Sequence, residues 1–113
     1  NINLFCEDFF LIKDKFNNFF DYILEYTFYC AILPERRGEY INKCYKILRD
    51  KGRIIAIMLP INIDSNNGPP FNVIKQELTD NFISRFNILK IIKSPLSIKA
   101  RSQFELYVEY QKK

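Results

Sequence analysis

The sequence contains no histidine among its 113 residues. Catalytic triads and dyads that use an imidazole base are therefore excluded within this chain, as is a zinc site that needs imidazole. Long apolar stretches are missing too, because the longest uncharged apolar run, residues 54–63, falls well short of the roughly 20 residues of a membrane span. We expect a soluble protein with no membrane contact, and the sequence indicates neither a catalytic side chain nor a metal ligand.

Cysteine is scarce and is not arranged for disulfides or metals. Cys6, Cys30 and Cys44 are odd in number, lie among apolar residues and show no C-x-x-C spacing. This pattern predicts reduced thiols in a cytoplasmic protein. The chain starts with Asn1 rather than Met, and no secretory signal follows, so we expect a fragment of a longer protein.

The charge balance is only mildly basic. Seventeen Lys and Arg face thirteen Asp and Glu, which leaves a net charge of +4. The positive residues are scattered, and only Arg36-Arg37 and Lys112-Lys113 are adjacent, without the dense basic run of a nucleic-acid patch. A small nucleic-acid-binding domain is one interpretation of this balance, but we expect no nucleic-acid partner.

The hydrophobic pattern predicts one α/β domain over residues 1–113, with eleven Phe and seven Tyr available for its core. Apolar or β-rich runs predict strands at residues 2–6, 20–24, 53–59, 87–92 and 104–110. Two helices are predicted between them, one opened by Pro34 and the other by an Asn72 cap. The order β, β, α, β, α, β, β indicates a sheet whose last two strands are an antiparallel addition.

Details of these elements follow from spacing. The first helix should bury an apolar stripe, pair Glu39 with Lys43 and end at Gly52. Residues 53–59 are continuously apolar, which predicts a central strand buried on both faces. The second helix should turn inward Val73, Ile74, Leu78 and Phe82.

Polar side chains follow three of these predicted strands. Glu7-Asp8, Glu25-Tyr26-Thr27 and the loop after Leu59 each come where a strand ends. Ligands of open α/β sheets bind beyond the carboxyl ends of the parallel strands. We therefore expect these three segments to meet at one rim and to carry the function.

Four segments resemble the thiopurine S-methyltransferase family, and within it the bacterial and plant thiol or halide methyltransferases. They are residues 6–10 (CEDFF), 20–32 (FDYILEYTFYCAI), 34–37 (PERR) and 67–71 (NGPPF). The resemblance implies the carboxyl-terminal part of a class I, Rossmann-like, S-adenosylmethionine-dependent methyltransferase sheet, from strand three onward. The half with the glycine-rich loop is missing.

The resemblance also implies a site for S-adenosylmethionine. Asp8 and Phe9 would meet the adenine, the carboxylate at its polar edge and the ring over one face. Glu25, Tyr26 and Thr27 would line the pocket below the sulfonium, where family members mostly have Asp-Tyr-Thr. The residues by themselves equally predict a turn cap at Asp8, a core position for Phe9 and a solvated strand-end acid at Glu25.

Further residues are implied for the methyl acceptor. Phe28, Tyr29 and Phe71 would form an apolar cup for a soft nucleophile such as a thiolate, which proximity and desolvation can activate without a base. Arg37 and Arg101 would contact an anionic acceptor. Without the resemblance, core packing is the default for such aromatics and surface ion pairing for such arginines.

The family's glycine-rich first loop and the ribose-binding acid of strand two have no counterpart here, where the only glycines are Gly38, Gly52 and Gly68. In the family's strand order, 3-2-1-4-5-7-6, removing strands one and two separates strand three from strand four. We expect the amino-terminal half in the same or another chain, and no activity for this chain alone. The alternative is a non-catalytic interaction or structural module derived from a methyltransferase.

Overall fold

The computed structural model describes residues 2–64, 67–94 and 104–113. Within these ranges the chain forms a four-stranded sheet with helices between its strands. None of the described helices has the length and apolar character of a membrane span. The strands are β1 (Phe20–Tyr26), β2 (Leu48–Met58), β3 (Phe86–Lys93) and β4 (Leu106–Lys112), and the helices are α1 (Arg37–Ile47) and the single turn α2 (Glu77–Asp80).

The sheet order is β1-β2-β4-β3. β1 runs parallel to β2, while β4 is antiparallel to both β2 and β3. This confirms the predicted α/β sheet with an antiparallel addition. It is also the 4-5-7-6 part of the order that the resemblance implied, so β1 here corresponds to strand four.

Helix α1 packs against one face of the sheet through the predicted apolar stripe. Its buried residues include Tyr40, Ile41, Cys44 and Ile47. The core continues into aromatic residues from the second half of the chain, where the Phe82 ring stacks on Tyr110 with centroids 4.1 Å apart. One face of the sheet thus has a continuous core.

The end of α1 differs from the expectation. The helix stops at Ile47, and Gly52 lies inside β2 rather than after the helix. A side chain at Gly52 would place its Cβ 2.9 Å from the carbonyl oxygen of Arg49, so the close approach of the β2 backbone explains this glycine. The predicted Glu39–Lys43 pair is also not formed, because Glu39 binds Arg36 and Lys43 donates to the backbone of the amino-terminal segment.

The opposite face of the sheet is apolar and exposed. On β1, Tyr22, Leu24 and Tyr26 are 60%, 78% and 49% exposed. The strand register places Ile57 and Tyr107 beside Tyr26 on the same face. The prediction that β2 is buried on both faces was therefore wrong for the described residues, since helices between successive strands cover only one side. We call this surface the uncovered face.

Residues 2–6 do not form the predicted strand; the first elements are the 3-10 turns Phe9–Leu11 and Asp14–Phe16. The physical reason lies in the family's strand order. A third strand pairs with strand two and not with strand four, so this segment has no strand to pair with among the described residues. An apolar β-rich pattern alone does not make a strand when no partner satisfies its backbone.

The second predicted helix is much shorter than its pattern suggested. Val73 bridges to Ile61 in an extended conformation, and the Asn72 side chain accepts from the backbone N–H of Ile63 instead of capping a helix. Helix α2 begins only at Glu77, and Ile74 is 55% exposed rather than inward. Pairing also moves the last strand, which runs Leu106–Lys112 instead of residues 104–110.

Candidate active site

Two of the three segments predicted to share a rim do so, because the carboxyl ends of the parallel strands β1 and β2 meet there, and a cleft of about 300 Å³ lies at this rim. Glu7-Asp8 follows no strand of the described chain and does not line this cleft. Segments that follow both strands line it, together with the proline pair of the loop after β2. We call it the rim cleft. Its lining residues are Thr27, Cys30, Ala31, Leu59, Pro69 and Pro70.

Thr27 marks the point where the chain leaves β1. Its φ angle is 65°, in the left-handed region that β-branched residues rarely adopt, and its Oγ1 donates to the carbonyl of Tyr26 at 2.6 Å. Backbone strain of this kind concentrates at functional sites. Tyr26 itself points to the uncovered face, where its hydroxyl donates to Glu105 at 3.2 Å.

Glu25 is buried on the helix side of the sheet, with 7% of its surface exposed. One carboxyl oxygen accepts a hydrogen bond from the backbone N–H of Tyr29, which caps the turn after β1. Burial raises the pKa of Glu25 to about 7, although backbone hydrogen bonds from Tyr29 and Phe28 pull the pKa down. The second oxygen of Glu25 and the Tyr40 hydroxyl have no hydrogen-bond partner in the described part of the chain.

Aromatic rings form a wall next to the rim cleft. Phe28 is 37% exposed, and its ring centroid lies 5.5 Å from that of Phe9 and 5.6 Å from that of Tyr40. The structure thus joins a residue predicted for the adenine with one predicted for the acceptor. Asp8 caps its own turn, since its Oδ1 accepts from the backbone N–H of Phe10 at 2.9 Å.

The loop after β2 reaches back to the turn after β1. The N–H of Phe71 donates to the carbonyl of Cys30 at 2.7 Å. A Cβ at Gly68 would lie 2.3 Å from the Phe71 ring, so the glycine of the Gly-Pro-Pro-Phe sequence leaves the space that this ring occupies. Phe71 is half-buried and directly follows Pro70, which lines the rim cleft, but Phe71 itself is not a lining residue.

Two predicted acceptor contacts are set back from the surface. Tyr29 and Arg37 are 1% and 3% exposed, and both interact with the Glu77 carboxylate. The structure therefore shows them as partners in a buried network and not as walls of the cleft. Sequence reasoning missed Glu77 because its position in an amphipathic pattern gave no signal. Arg101 lies outside the described residues.

The sequence of the chain is similar to a known protein family over nearly its whole length. The profile of the thiopurine S-methyltransferase family matches residues 1–108. The chain belongs to this family. The resemblance carried by residues 6–10, 20–32, 34–37 and 67–71 is thereby confirmed, and with it the assignment to a family of methyltransferases.

Curated relatives come from plants and bacteria. The chain is 34% identical over 107 residues to thiocyanate methyltransferase 1 of Brassica oleracea, a match that covers 94% of this chain and 46% of that protein. It is 31% identical over 94 residues to the probable thiol methyltransferase 2 of Arabidopsis thaliana, covering 82% of this chain and 41% of the relative. The chain spans less than half the length of these relatives.

A solved structure supports the fold. The 1,6-didemethyltoxoflavin-N1-methyltransferase of Burkholderia thailandensis, determined with bound S-adenosylhomocysteine, superposes with a TM-score of 0.65 at 17% sequence identity. The match covers 85% of this chain and 45% of that protein. The described sheet is therefore part of a Rossmann-like methyltransferase fold.

Proposed function

We propose that this chain is the carboxyl-terminal part of an S-adenosylmethionine-dependent methyltransferase that acts on a small thiol or another soft nucleophile. The observation that carries the proposal is the apolar rim cleft at the ends of β1 and β2, lined on one side by Pro69 and Pro70, in a member of this family. The reduced state of the cysteines supports a cytoplasmic location.

The residues present fit one side of the cofactor. Phe9 and Phe28 offer aromatic faces next to the rim, which suits an adenine ring, and Asp8 lies beside them. β1 ends at Tyr26, and the next residue, Thr27, lines the cleft. S-adenosylmethionine, when bound, supplies a methyl group on a cationic sulfur. The chain has no glycine-rich loop to hold the remainder of that molecule, so this half of the site alone should bind it weakly.

Glu25 contributes to this site through position and charge. Its carboxyl group holds the turn that carries Phe28, so the aromatic wall depends on it. A cation near the end of β1 would favour the ionised form of a group whose pKa is about 7. We propose that Glu25 positions the turn and adds negative charge behind it.

The acceptor side of the site suits a soft anion. Phe28 and Phe71 supply apolar surface near the cleft, and the chain offers no histidine to act as a base. A thiolate that reacts with a cationic methyl donor loses its charge as the new bond forms, so a dry, close-fitting wall assists the reaction without removing a proton. A small acceptor that is already ionised is therefore preferred.

The uncovered face supports a proposal about the partner that completes the enzyme. β1 is an edge strand that pairs only with β2 in the described ranges, and the apolar side chains beside it, such as Leu24, are exposed. An unpaired strand edge presents free backbone hydrogen-bonding groups, and an exposed apolar sheet face is typical of an interaction surface. We propose that the amino-terminal half of the sheet, in the same or another chain, pairs with β1 and covers this face. Below, the completed protein means this chain together with such a half, from its own gene or from a relative.

Methylation assays with the completed protein test the function. We expect methyl transfer from S-adenosylmethionine to small thiols, with rates that rise with pH as the thiol, of pKa about 8.5, ionises. Phe71→Ala should lower turnover of bulky thiols more than it lowers cofactor affinity, whereas Phe19→Ala, at the opposite end of β1, should change neither. Thiols that stay inert while an amine, a hydroxyl compound or a nucleic acid is methylated would refute the soft-nucleophile assignment.

The cofactor side is tested by calorimetry. Asp8→Ala should weaken S-adenosylmethionine binding to the completed protein by about 1–3 kcal/mol if the carboxylate contacts the adenine. Asp8→Asn keeps an acceptor for the turn and separates capping from adenine contact. A completed protein that folds but binds no cofactor would favour the non-catalytic module instead.

A further inference from the structure

A buried ion pair lies behind the rim cleft and joins three segments of the chain. Arg37, the first residue of α1, places its Nη1 3.0 Å from Oε1 of Glu77, and both side chains are largely buried. The Tyr29 hydroxyl donates to the same Oε1 at 2.6 Å. The Arg37 guanidinium also lies over the Tyr29 ring, 4.6 Å from its centroid. We call Tyr29, Arg37 and Glu77 the clamp.

The clamp holds the backbone of the acceptor wall. Arg37 donates from Nη1 to the carbonyl of Asn72 at 3.0 Å and from Nη2 to the carbonyl of Phe71 at 3.3 Å. On its other side, residue 71 donates its N–H to the carbonyl of Cys30. The peptide units around Phe71 are therefore fixed by the turn after β1 and by α1 together, while no part of the Arg37 side chain is more than slightly exposed.

A second anchor limits how much of the loop after β2 depends on the clamp. Val73 donates to the carbonyl of Pro60 at 2.8 Å and bridges to Ile61, independently of Arg37. The loop is thus attached to the end of β2 at residue 73 whether or not the clamp is formed. Loss of the clamp should loosen the backbone around Phe71, which keeps only its bond to Cys30 among the described residues, and leave the chain from Asn72 onward in place, because the Asn72 side chain accepts from Ile63.

The geometry of the clamp suits a role for Arg37 in positioning the loop better than a role in stability or in ligand binding. A buried ion pair is weak evidence of a stability gain, because desolvation of the two charges offsets their attraction. The planar guanidinium, however, donates to a carboxylate and two carbonyls from separate nitrogens in a fixed plane. The ammonium group of a lysine has all its donors on one atom and does not reproduce this geometry. An arginine occupied in this way has its two terminal nitrogens turned to the protein instead of toward an acceptor.

We propose that Arg37 is a positioning residue that sets the place of the Phe71 backbone through the clamp, and with it the adjoining Pro69-Pro70 wall of the rim cleft and the size of acceptor that the cleft admits. The proposal rests on the proposed function for its effect on acceptors. It replaces a direct contact between Arg37 and an anionic acceptor with an indirect role in which Glu77 has an equal share.

The first test measures hydrogen exchange at the Phe71 amide, which donates to the Cys30 carbonyl, in the completed protein and requires no turnover. Arg37→Met and Glu77→Gln should each accelerate exchange there about tenfold, because one or two hydrogen bonds of about 1 kcal/mol are lost. Arg37→Lys should not restore protection. Arg36→Met alters the neighbouring exposed arginine, which pairs with Glu39, and should leave exchange unchanged.

The second test compares acceptors. Arg37→Met and Glu77→Gln should raise KM for aromatic thiols about tenfold, with a much smaller change for short alkyl thiols and for cofactor affinity. The double variant should be no worse than either single one, because both break the same clamp.

Direct anion contact by Arg37 gives the opposite results. The loss of activity in Arg37→Met would then follow the charge of the acceptor, and Arg37→Lys would rescue it. Glu77→Gln would have almost no effect, and exchange at the Phe71 amide would stay at the wild-type rate. These outcomes would overturn the proposal. If thiols prove inert, the proposed function fails but the exchange measurement still decides whether the clamp holds the loop. Should Arg37→Met not fold, Glu77→Gln carries the same test.

Discussion

The buried carboxyl group of Glu25 should make the stability of this protein depend on pH in a definite window. Its ordinary pKa of 4.5 rises to about 7 in the fold, chiefly through burial. Between these values the folded protein keeps a proton that the unfolded chain has lost. Stability therefore falls as pH rises from 4.5 to 7 and has no Glu25-dependent slope outside that range. The difference corresponds to about 3 kcal/mol at 1.36 kcal/mol per pKa unit.

Glu25→Gln removes the ionisation while keeping an oxygen that can accept from the Tyr29 N–H. The free energy of unfolding of this variant minus that of the wild type should be about 3 kcal/mol larger at pH 8 than at pH 4, because only the wild type loses stability over this range. Urea unfolding of the completed protein at a series of pH values measures both curves. The described neighbours Cys44 and Tyr40 do not titrate between pH 4 and 8, so they add no slope to either stability curve. Burial raises the pKa of the Cys44 thiol to about 12 and the pKa of the Tyr40 hydroxyl well above its ordinary range.

Glu39→Gln is the matched control. Glu39 is exposed and its pKa is lowered by the hydrogen bond from Arg36, so its contribution is present above pH 4.5 and fades only as pH falls further. Its effect therefore has the opposite sign and lies outside the Glu25 window. Parallel curves for the wild type and Glu25→Gln between pH 4.5 and 7 would refute the reasoning and indicate that water or a structural rearrangement solvates the carboxylate.

Three further substitutions test packing in the completed protein. Gly68→Ala should displace the Phe71 ring, which lies within 2.6 Å of the added Cβ, and raise acceptor KM with cofactor affinity unchanged; unaltered KM would contradict the close approach. Tyr110→Phe removes a buried hydroxyl that donates to the Leu78 carbonyl at 2.7 Å and should cost about 1–3 kcal/mol in urea unfolding, since the carbonyl is left unpaired. Lys112→Met should cost a similar amount, because the buried ammonium donates to a strand carbonyl at 2.7 Å; an unchanged midpoint would show that this carbonyl finds another partner.

Much of the fold could be predicted from the chain alone. The period of the apolar residues and the length of the apolar runs predicted α1, β2 and β3. The order of these elements predicted an α/β sheet with antiparallel final strands, because alternating strands and helices have few ways to bury their apolar faces. Glu25-Tyr26-Thr27 and the loop after Leu59 were assigned to one rim for the same topological reason, whereas Phe71 was assigned to the acceptor site only through the family resemblance. The family followed from motifs whose spacing is specific.

Two of the errors share one cause, which is that a strand or helix pattern needs a packing or pairing partner. Residues 2–6 have the composition of a strand but pair with no strand in the described chain. Val73 belongs to an apparently helical pattern but pairs with Ile61, which delays α2 until Glu77. In both cases tertiary contacts overrode the local pattern.

For the site, the sequence by itself determined which residues follow the strands and that this chain contributes no histidine. Only the tertiary structure decided what those residues do. It buried Glu25 against its own turn, turned Arg37 and Tyr29 toward Glu77, and placed Phe71 against Gly68. The reason is physical: the ionisation state and hydrogen-bond partners of a side chain depend on burial and on neighbours that are distant in sequence, and no local spacing records either of them.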